Sequence, residues 1–459
     1  MQPPPPPSPP SRDKRRPPRR HHLTNSIRPH FQSRNNSGWR PEYNAAAGGT
    51  GILFETKLQT INRLQEGLHF LDGKRYDRAG YQEMADAFFE TYKRTHPALV
   101  TKIETARSGA AASAESADDV PVLARDSETT VWQEEFWRVV ETNVEQVRVE
   151  YGSDLDAAIY GTGFVEKQNH AWDFNELIHH PSNLLRVVGD DVPGLTRPWL
   201  YFGMLFSAFC WHVEDHYLGS VNYMHFGSPK TWYGVPGSNA DLFERAVRTM
   251  VPSLLDDKPD LLHRLVTLVP PGSLRDAHGV DVCQTTQHAG EFVVTWPRAY
   301  HAGFSMGFNV AEAVNFGTSE WVKAGRTAVE GYARGVGKRD AVFSHDRMVV
   351  DTGRDFAKRL NSAGPGAMAP WIKAVSVVLK DELLIIAKEQ TEGRAMMRGR
   401  GARIATALEI AENEIGNDVC CSLCKSMPHL AVVRCAKCWS ENEKLEVQVR
   451  ISQSPHSSD

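Results

Sequence analysis

The 459-residue chain is poor in cysteine, and what it has is unevenly spread: five of the seven lie between Cys420 and Cys438, leaving Cys210 and Cys283 apart. That spread excludes a disulfide framework and fits a metal finger in a reducing compartment. Long apolar runs are missing too. No stretch reaches the ~18 residues a membrane helix needs, and the N-terminus lacks the apolar segment of a secretory signal. No membrane partner is expected. The length exceeds what one compact core usually holds, which points to two or more domains.

Charge is scarce in net terms, −4 overall, but it is segregated. Residues 1–40 hold nine Lys/Arg against one Asp, and the remainder holds 43 basic against 55 acidic residues. The acidic body suits a basic partner such as a histone tail. The Pro- and Arg-rich residues 1–26, around Lys14, Arg15, Arg16, Arg19 and Arg20, cannot build a core. They read either as a nuclear-localisation or DNA-contacting patch or as a solvated tail.

Apolar spacing predicts helices over Phe54–Leu68 (Leu58, Ile61, Leu64, Leu68), Tyr81–Tyr92 (Tyr81, Met84, Ala85, Phe88, Tyr92) and Trp132–Val147 (Phe136, Val139, Val140, Val144). Ser108–Asp119 reads as a low-complexity linker. From Tyr151 to Phe316 short β-rich runs alternate with Gly and Pro, as in a jelly-roll or cupin-like barrel, interrupted by helical pieces at Trp172–Ile178 and Asn239–Met250. Helix returns over Ala341–Leu360 and Trp371–Glu414, with Ser362–Pro370 as a break. The fold class expected is α+β.

The chemistry concentrates in FCWHVEDHYLGSVNYMHFGSPKTWYGVPG, which begins at Phe209. His212 and Glu214 stand two apart, so on a strand they share a face. They supply two of the three ligands of a 2-His-1-carboxylate iron(II) site, and His301, after the β-rich run GEFVVTWPRAY, is the candidate third. Such a centre needs a co-substrate that chelates the metal. For 2-oxoglutarate the far carboxylate requires a cation, Lys230, and donors such as Ser220 and Asn222, with Tyr151, Phe209 and Asn315 completing the pocket. Plainer readings stand beside these. Asp215 and His216 read equally as surface polar residues, His225 and His288 as hydrogen-bonded structural histidines, and Trp232, Tyr233 and Trp296 as core. Lys230 alone would be a solvated charge.

The two stretches WHVEDHYLGSVNYMHFGSPKTWYGVPG and GEFVVTWPRAYHAGFSMGFNVAEAVNF resemble the signature halves of a JmjC domain, in the branch of histone demethylases acting on lysine 4 of histone H3. The likeness extends through Pro198–Trp211, Glu134–Leu155 and the YQEMADAF helix, over roughly residues 54–438. It implies iron ligands at His212, Glu214 and His301. It implies 2-oxoglutarate contacts at Tyr151, Ser220, Asn222 and Lys230, with Phe209 and Asn315 lining that pocket, and a methyl-lysine-lining Tyr201. It also implies a nuclear enzyme that uses Fe(II), 2-oxoglutarate and O2 to hydroxylate an N-methyl group and release formaldehyde. Its partners would be the methylated H3 tail and chromatin.

The layout expected from the resemblance is a disordered tail over 1–26, a partial JmjN-like segment over 27–70 (SIRP, SGWRP) and a helical connecting region over 71–150. A JmjC catalytic domain over 151–333, a helical domain over 334–419 and a truncated C5HC2-type finger over 420–459 follow. In the last, Cys421, Cys424, Cys435 and Cys438 form a CxxC–x10–CxxC set for one Zn(II). A JmjC oxygenase acting on another histone lysine or hydroxylating a protein would share this pocket. A catalytically inert chromatin-binding scaffold would not need it.

Overall fold

The computed structural model describes residues 52–66, 71–113, 120–142, 144–164, 172–188, 192–252, 267–334, 341–363 and 370–399. The basic tail, the JmjN-like fragments and the four finger cysteines lie outside the described residues.

Two antiparallel sheets face one another. The larger runs in the order β2-β1-β3-β4-β11-β6-β9, and the smaller β5-β10-β7-β8. The larger is built from β1 Phe54–Thr60, β2 Leu71–Tyr76, β3 Arg148–Asp156, β4 Trp199–Gly203, β6 Gly219–Gly227, β9 Phe292–Thr295 and β11 Asn309–Phe316. The smaller contains β5 Ala208–His212, β7 Lys230–Val235, β8 Cys283–Gln287 and β10 Tyr300–Ser305. Every pairing between these strands is antiparallel. With its helices the molecule is the expected α+β, jelly-roll-like arrangement.

Helices cover the outer faces. The helix α1 Arg78–Thr95 buries Tyr81, Ala85 and Tyr92, as its spacing predicts, and Asp77 caps it by accepting from the Gly80 amide. After α2 Pro97–Ser113, the helix α3 Val120–Glu141 lies against the smaller sheet. There the Phe136 ring stacks on Phe304 at 3.9 Å, and Trp137 Nε1 donates to the Tyr233 hydroxyl at 2.8 Å. The later helices Val322–Arg334, His345–Ala363 and Pro370–Gly399 share a second core with Leu184, Leu185 and Trp321.

Six expectations are corrected. Phe54–Leu68 is not a helix: it is β1 followed by a 3-10 turn, Ile61–Glu66. Its strand alternation is hidden because two of its buried residues, Thr56 and Gln59, are polar. Gln59 donates to the Ala208 carbonyl and accepts from the Ala208 amide, acting as a ladder partner for β5. The Trp132 helix stops at Glu141, so Val144 is 79% exposed, not part of the buried face that Phe136, Val139 and Val140 form. The start of the supposed linker at Ser108 continues α2 to Ser113, since alanine favours helix. His216 is buried, with backbone amides of Val342 and Phe343 donating to its Nε2. Trp296 is 55% exposed, because it follows the end of β9 and touches only the edge of Phe316. The Trp172–Ile178 piece shrinks to one turn, Phe174–Leu177, capped by Asp173.

Candidate active site

The cavity between the sheets is built from strand register. In the β5–β10 pairing His212 sits opposite His301, and their rings stand 4.1 Å apart. Glu214 follows β5 in extended conformation, so it keeps the i,i+2 relation to His212. The chain then turns away through His216 and Tyr217, both left-handed (φ 53° and 54°). Glu214 Oε1 lies 3.2 Å from His301 Nε2 and 4.0 Å from His212 Nε2. Three donor atoms thus converge within 4.8 Å of one another.

Each imidazole is oriented by backbone. His212 Nδ1 pairs with the Cys210 carbonyl at 2.8 Å, and His301 Nδ1 with the Ala299 carbonyl at 3.0 Å. A carbonyl only accepts, so each Nδ1 carries the proton and each Nε2 presents a lone pair. This is the arrangement in which histidine ligates a metal. Burial and the neighbouring His301 push His212 down to about 4, so it is neutral at pH 7. Burial alone would raise Glu214, but the nearby His301 and His212 imidazoles and the Asn315 amide outweigh it and bring it down to about 2. Two imidazole nitrogens and one carboxylate oxygen form the donor set of a facial iron(II) site.

Lys230 opens β7 and is 1% exposed. No carboxylate lies within ion-pair distance of its Nζ among the described residues. Its recorded neighbours are aromatic faces, Phe209 at 5.7 Å and Tyr201 at 5.9 Å. Burial pushes its pKa down to about 7. A buried ammonium without an anion is costly, so the place is suited to a ligand carboxylate.

The remaining sequence candidates close a ring around this cavity. Tyr201 lies 6.3 Å from Tyr151, ring to ring, and burial raises the pKa of both phenols, which stay protonated. Phe209 lies 6.4 Å from His301. Ser220 pairs with Asn315 across β6 and β11, and Asn222 shares the Ser220 face one step along β6. Of the ten residues proposed for iron, co-substrate and methyl-lysine, four lie on the smaller sheet, five on the larger and Glu214 follows β5, and contacts link His212, Glu214, His301, Phe209, Lys230, Tyr201, Tyr151 and Asn315. His225 is a structural histidine: its Nε2 pairs with Glu312, whose side chain is fully buried, at 2.9 Å.

Three neighbours were not singled out from sequence. Thr295 shares a 2.6 Å hydrogen bond with Ser220. Asp154 accepts from the Tyr201 hydroxyl and stands at φ 60° beside an irregularity in the β3–β4 pairing. Gln287 pairs with Lys230 across β7 and β8. Each is an ordinary polar residue in a strand, and only the register betrays it.

A two-sheet barrel with a His-Glu-His set and a buried lysine defines a JmjC-type hydroxylase domain. Residues 199–316 match that family, described as JmjC domain, hydroxylase. Over those residues the chain matches a JmjC domain, and it is similar to lysine-specific demethylases. It is 39% identical to Lysine-specific demethylase 5D of Homo sapiens over 325 residues, 68% of this chain and 20% of that protein. It is 37% identical to Lysine-specific demethylase 5B of Gallus gallus over 349 residues, 73% of this chain and 21% of that protein. Against Putative lysine-specific demethylase JMJ16 of Arabidopsis thaliana it is 45% identical over 237 residues, 49% of this chain and 19% of that protein. The chain thus spans about a fifth of the length of these curated relatives. Among the described residues no helix is long and apolar enough to cross a membrane.

Proposed function

We propose that this chain is an iron(II)- and 2-oxoglutarate-dependent demethylase of methylated lysine 4 in the histone H3 tail, acting on chromatin in the nucleus. The observation that carries the reading is the pairing of two features in one cavity. One is a His-Glu-His set with both Nε2 lone pairs presented. The other is a buried ammonium with no carboxylate at ion-pair distance. The names of the relatives, which are lysine-specific demethylases, support the substrate class.

His212, Glu214 and His301 would hold the iron, and Lys230, Ser220 and Asn222 would hold the far carboxylate of 2-oxoglutarate. Together with O2 the bound pair supplies an oxidant that hydroxylates an N-methyl C–H bond, with 2-oxoglutarate converted to succinate and CO2. The resulting hemiaminal releases formaldehyde and leaves the nitrogen one methyl poorer. The protein's own work is placement. A neutral His212 and an anionic Glu214 need no proton loss at pH 7 before ligating. Lys230 would supply a cation to the far carboxylate of the dicarboxylate and gain the anion its burial calls for. Phe209 and Trp232, 4.6 Å apart, wall the metal side with aromatic surface and limit water. Tyr201 offers a ring and a hydroxyl to the methylated ammonium. Cys421, Cys424, Cys435 and Cys438 would hold one Zn(II), and the basic N-terminal residues would contact DNA.

The test is incubation with iron(II), 2-oxoglutarate and trimethylated H3 peptide, read by mass. Demethylation removes about 14 mass units per methyl, whereas stable hydroxylation adds about 16, as the co-substrate chemistry dictates. Loss of methyl groups at lysine 4 with formaldehyde release is expected. A gain of 16, or turnover only on another lysine, replaces the substrate assignment. No turnover on any methylated H3 peptide overturns the reading.

A further inference from the structure

Gln287 makes four hydrogen bonds from one buried amide, and their polarity is decided by its partners. Its Oε1 accepts from Trp232 Nε1 at 2.9 Å. Its Nε2 donates to the Asn222 carbonyl at 3.2 Å, the Glu291 carbonyl at 3.1 Å and Asn222 Oδ1 at 3.0 Å. An indole N–H can only donate and a backbone carbonyl can only accept. Amide orientation is ordinarily ambiguous, but here three single-role partners fix it. Gln287 must turn its oxygen to Trp232 and its nitrogen to β6. The atom of Asn222 that meets that nitrogen must then be Oδ1. Asn222 Nδ2 is left pointing elsewhere, and among the described residues no protein acceptor takes it.

Asn222 is one of the proposed donors to the 2-oxoglutarate carboxylate, and Gln287 lies directly opposite Lys230 in the β7–β8 register. The same side chain holds Trp232, whose ring lies near-parallel to His301 at 6.0 Å. We propose that Gln287 is a positioning residue for the dicarboxylate co-substrate: it fixes the Asn222 side chain with its N–H donors toward the cavity, so that the anion meets a donor and never a lone pair. The inference rests on the oxygenase reading above. Without Gln287 the Asn222 amide is free to rotate, and about half of its orientations would present Oδ1 to the carboxylate.

The test uses the full chain loaded with manganese(II) and measures binding of N-oxalylglycine, an inert dicarboxylate analogue, by titration calorimetry. Gln287→Met keeps the volume and removes both hydrogen-bonding roles. It is expected to weaken binding about tenfold, the usual effect of removing a group that orients a ligand-contacting residue. The KM for 2-oxoglutarate should rise in parallel, while the KM for peptide and the manganese stoichiometry stay unchanged. Asn222→Ala should weaken binding similarly, and adding Gln287→Met to it should cost little more. Unaltered affinity in Gln287→Met, or fold-losses that multiply in the double variant, would overturn the proposal. Should Gln287→Met not fold, Trp232→Phe removes the indole donor that orients Gln287. A several-fold loss there sustains the proposal, and wild-type affinity defeats it. Failure of the wild-type protein to bind N-oxalylglycine at all would instead sink the oxygenase reading.

Discussion

Among the described residues two groups of three histidine and glutamate side chains bring their donor atoms within 4.8 Å of one another, and only one has the makings of a metal centre. His212, Glu214 and His301 sit between the sheets, whereas His96, Glu135 and Glu145 sit beside α1 and α3. In the second cluster Arg138 bonds to both glutamates, the Tyr92 hydroxyl donates to Glu135 at 2.7 Å, and His96 Nε2 lies 3.1 Å from Glu145. The acceptor atoms are already occupied by protons of the protein itself. In both clusters a backbone carbonyl accepts from histidine Nδ1, Tyr92 for His96 as Cys210 and Ala299 for His212 and His301, but among the described residues no arginine or lysine pairs with Glu214. Proximity of donor types is therefore a poor guide; what separates the two is whether the protein's own arginine and hydroxyl already hold the carboxylates.

The sharpest way to break that comparison is to remove one lone pair. His212→Ala should abolish turnover, by on the order of a thousand-fold or more, and reduce iron(II) binding, with the fold retained by circular dichroism. Retained activity would mean that the wrong cluster has been chosen. Lys230→Met is expected to raise the KM for 2-oxoglutarate on the order of 100-fold, because a ligand carboxylate loses its buried partner. The same change should raise the Tm of the ligand-free protein at pH 7. Lys230 has its pKa lowered from 10.5 to about 7, so the unfolded chain binds the proton more tightly. That destabilises the fold increasingly as pH falls from about 10.5 toward 7. The Tm advantage of the variant should accordingly shrink as pH is raised to 10. For the wild type, a bound dicarboxylate restores the proton, so binding at pH 8 should take up close to one proton and weaken as pH rises further. Calorimetry in buffers of different ionisation enthalpy reads this directly, and zero uptake would remove Lys230 from the carboxylate site.

Much of the site was legible because its chemistry is local. His212 and Glu214 need only a strand and a two-residue step, and Ser220 and Asn222 repeat that step on β6. What was not legible is pairing. Nothing in the order of residues says that β10 lies against β5 and β8 against β7, which is what brings His301 to His212 and Gln287 to Lys230. The fold misreadings share a cause. Buried polar residues, Thr56 and Gln59 in β1 and His216 in the turn after Glu214, look like surface to a hydropathy pattern because their partners are remote backbone groups. Exposure of Trp296 is the converse, a large ring left at a strand end.

The smallest expected effect falls on the second cluster and sharpens the contrast from the other side. Arg138→Met removes the cation that Glu135 and Glu145 share. Burial works to raise Glu135, and the Arg138 and Tyr92 hydrogen bonds hold it below the usual carboxylate range. Its contribution to stability is therefore present above the unfolded carboxylate pKa and lost as pH falls through the folded one. Arg138 is itself partly solvated, with 36% of its side chain exposed, which screens the pair. The cost should be only about 1 kcal/mol, seen as a fall in Tm of about 2 °C at pH 7. That deficit should narrow toward pH 4, where the glutamates of the variant can take up protons. Turnover in the assay of the proposed function should not change, since α3 packs behind the smaller sheet. A large loss of turnover in Arg138→Met, with Tm nearly intact, would show that the two clusters are coupled and that the distinction drawn from their protons is incomplete.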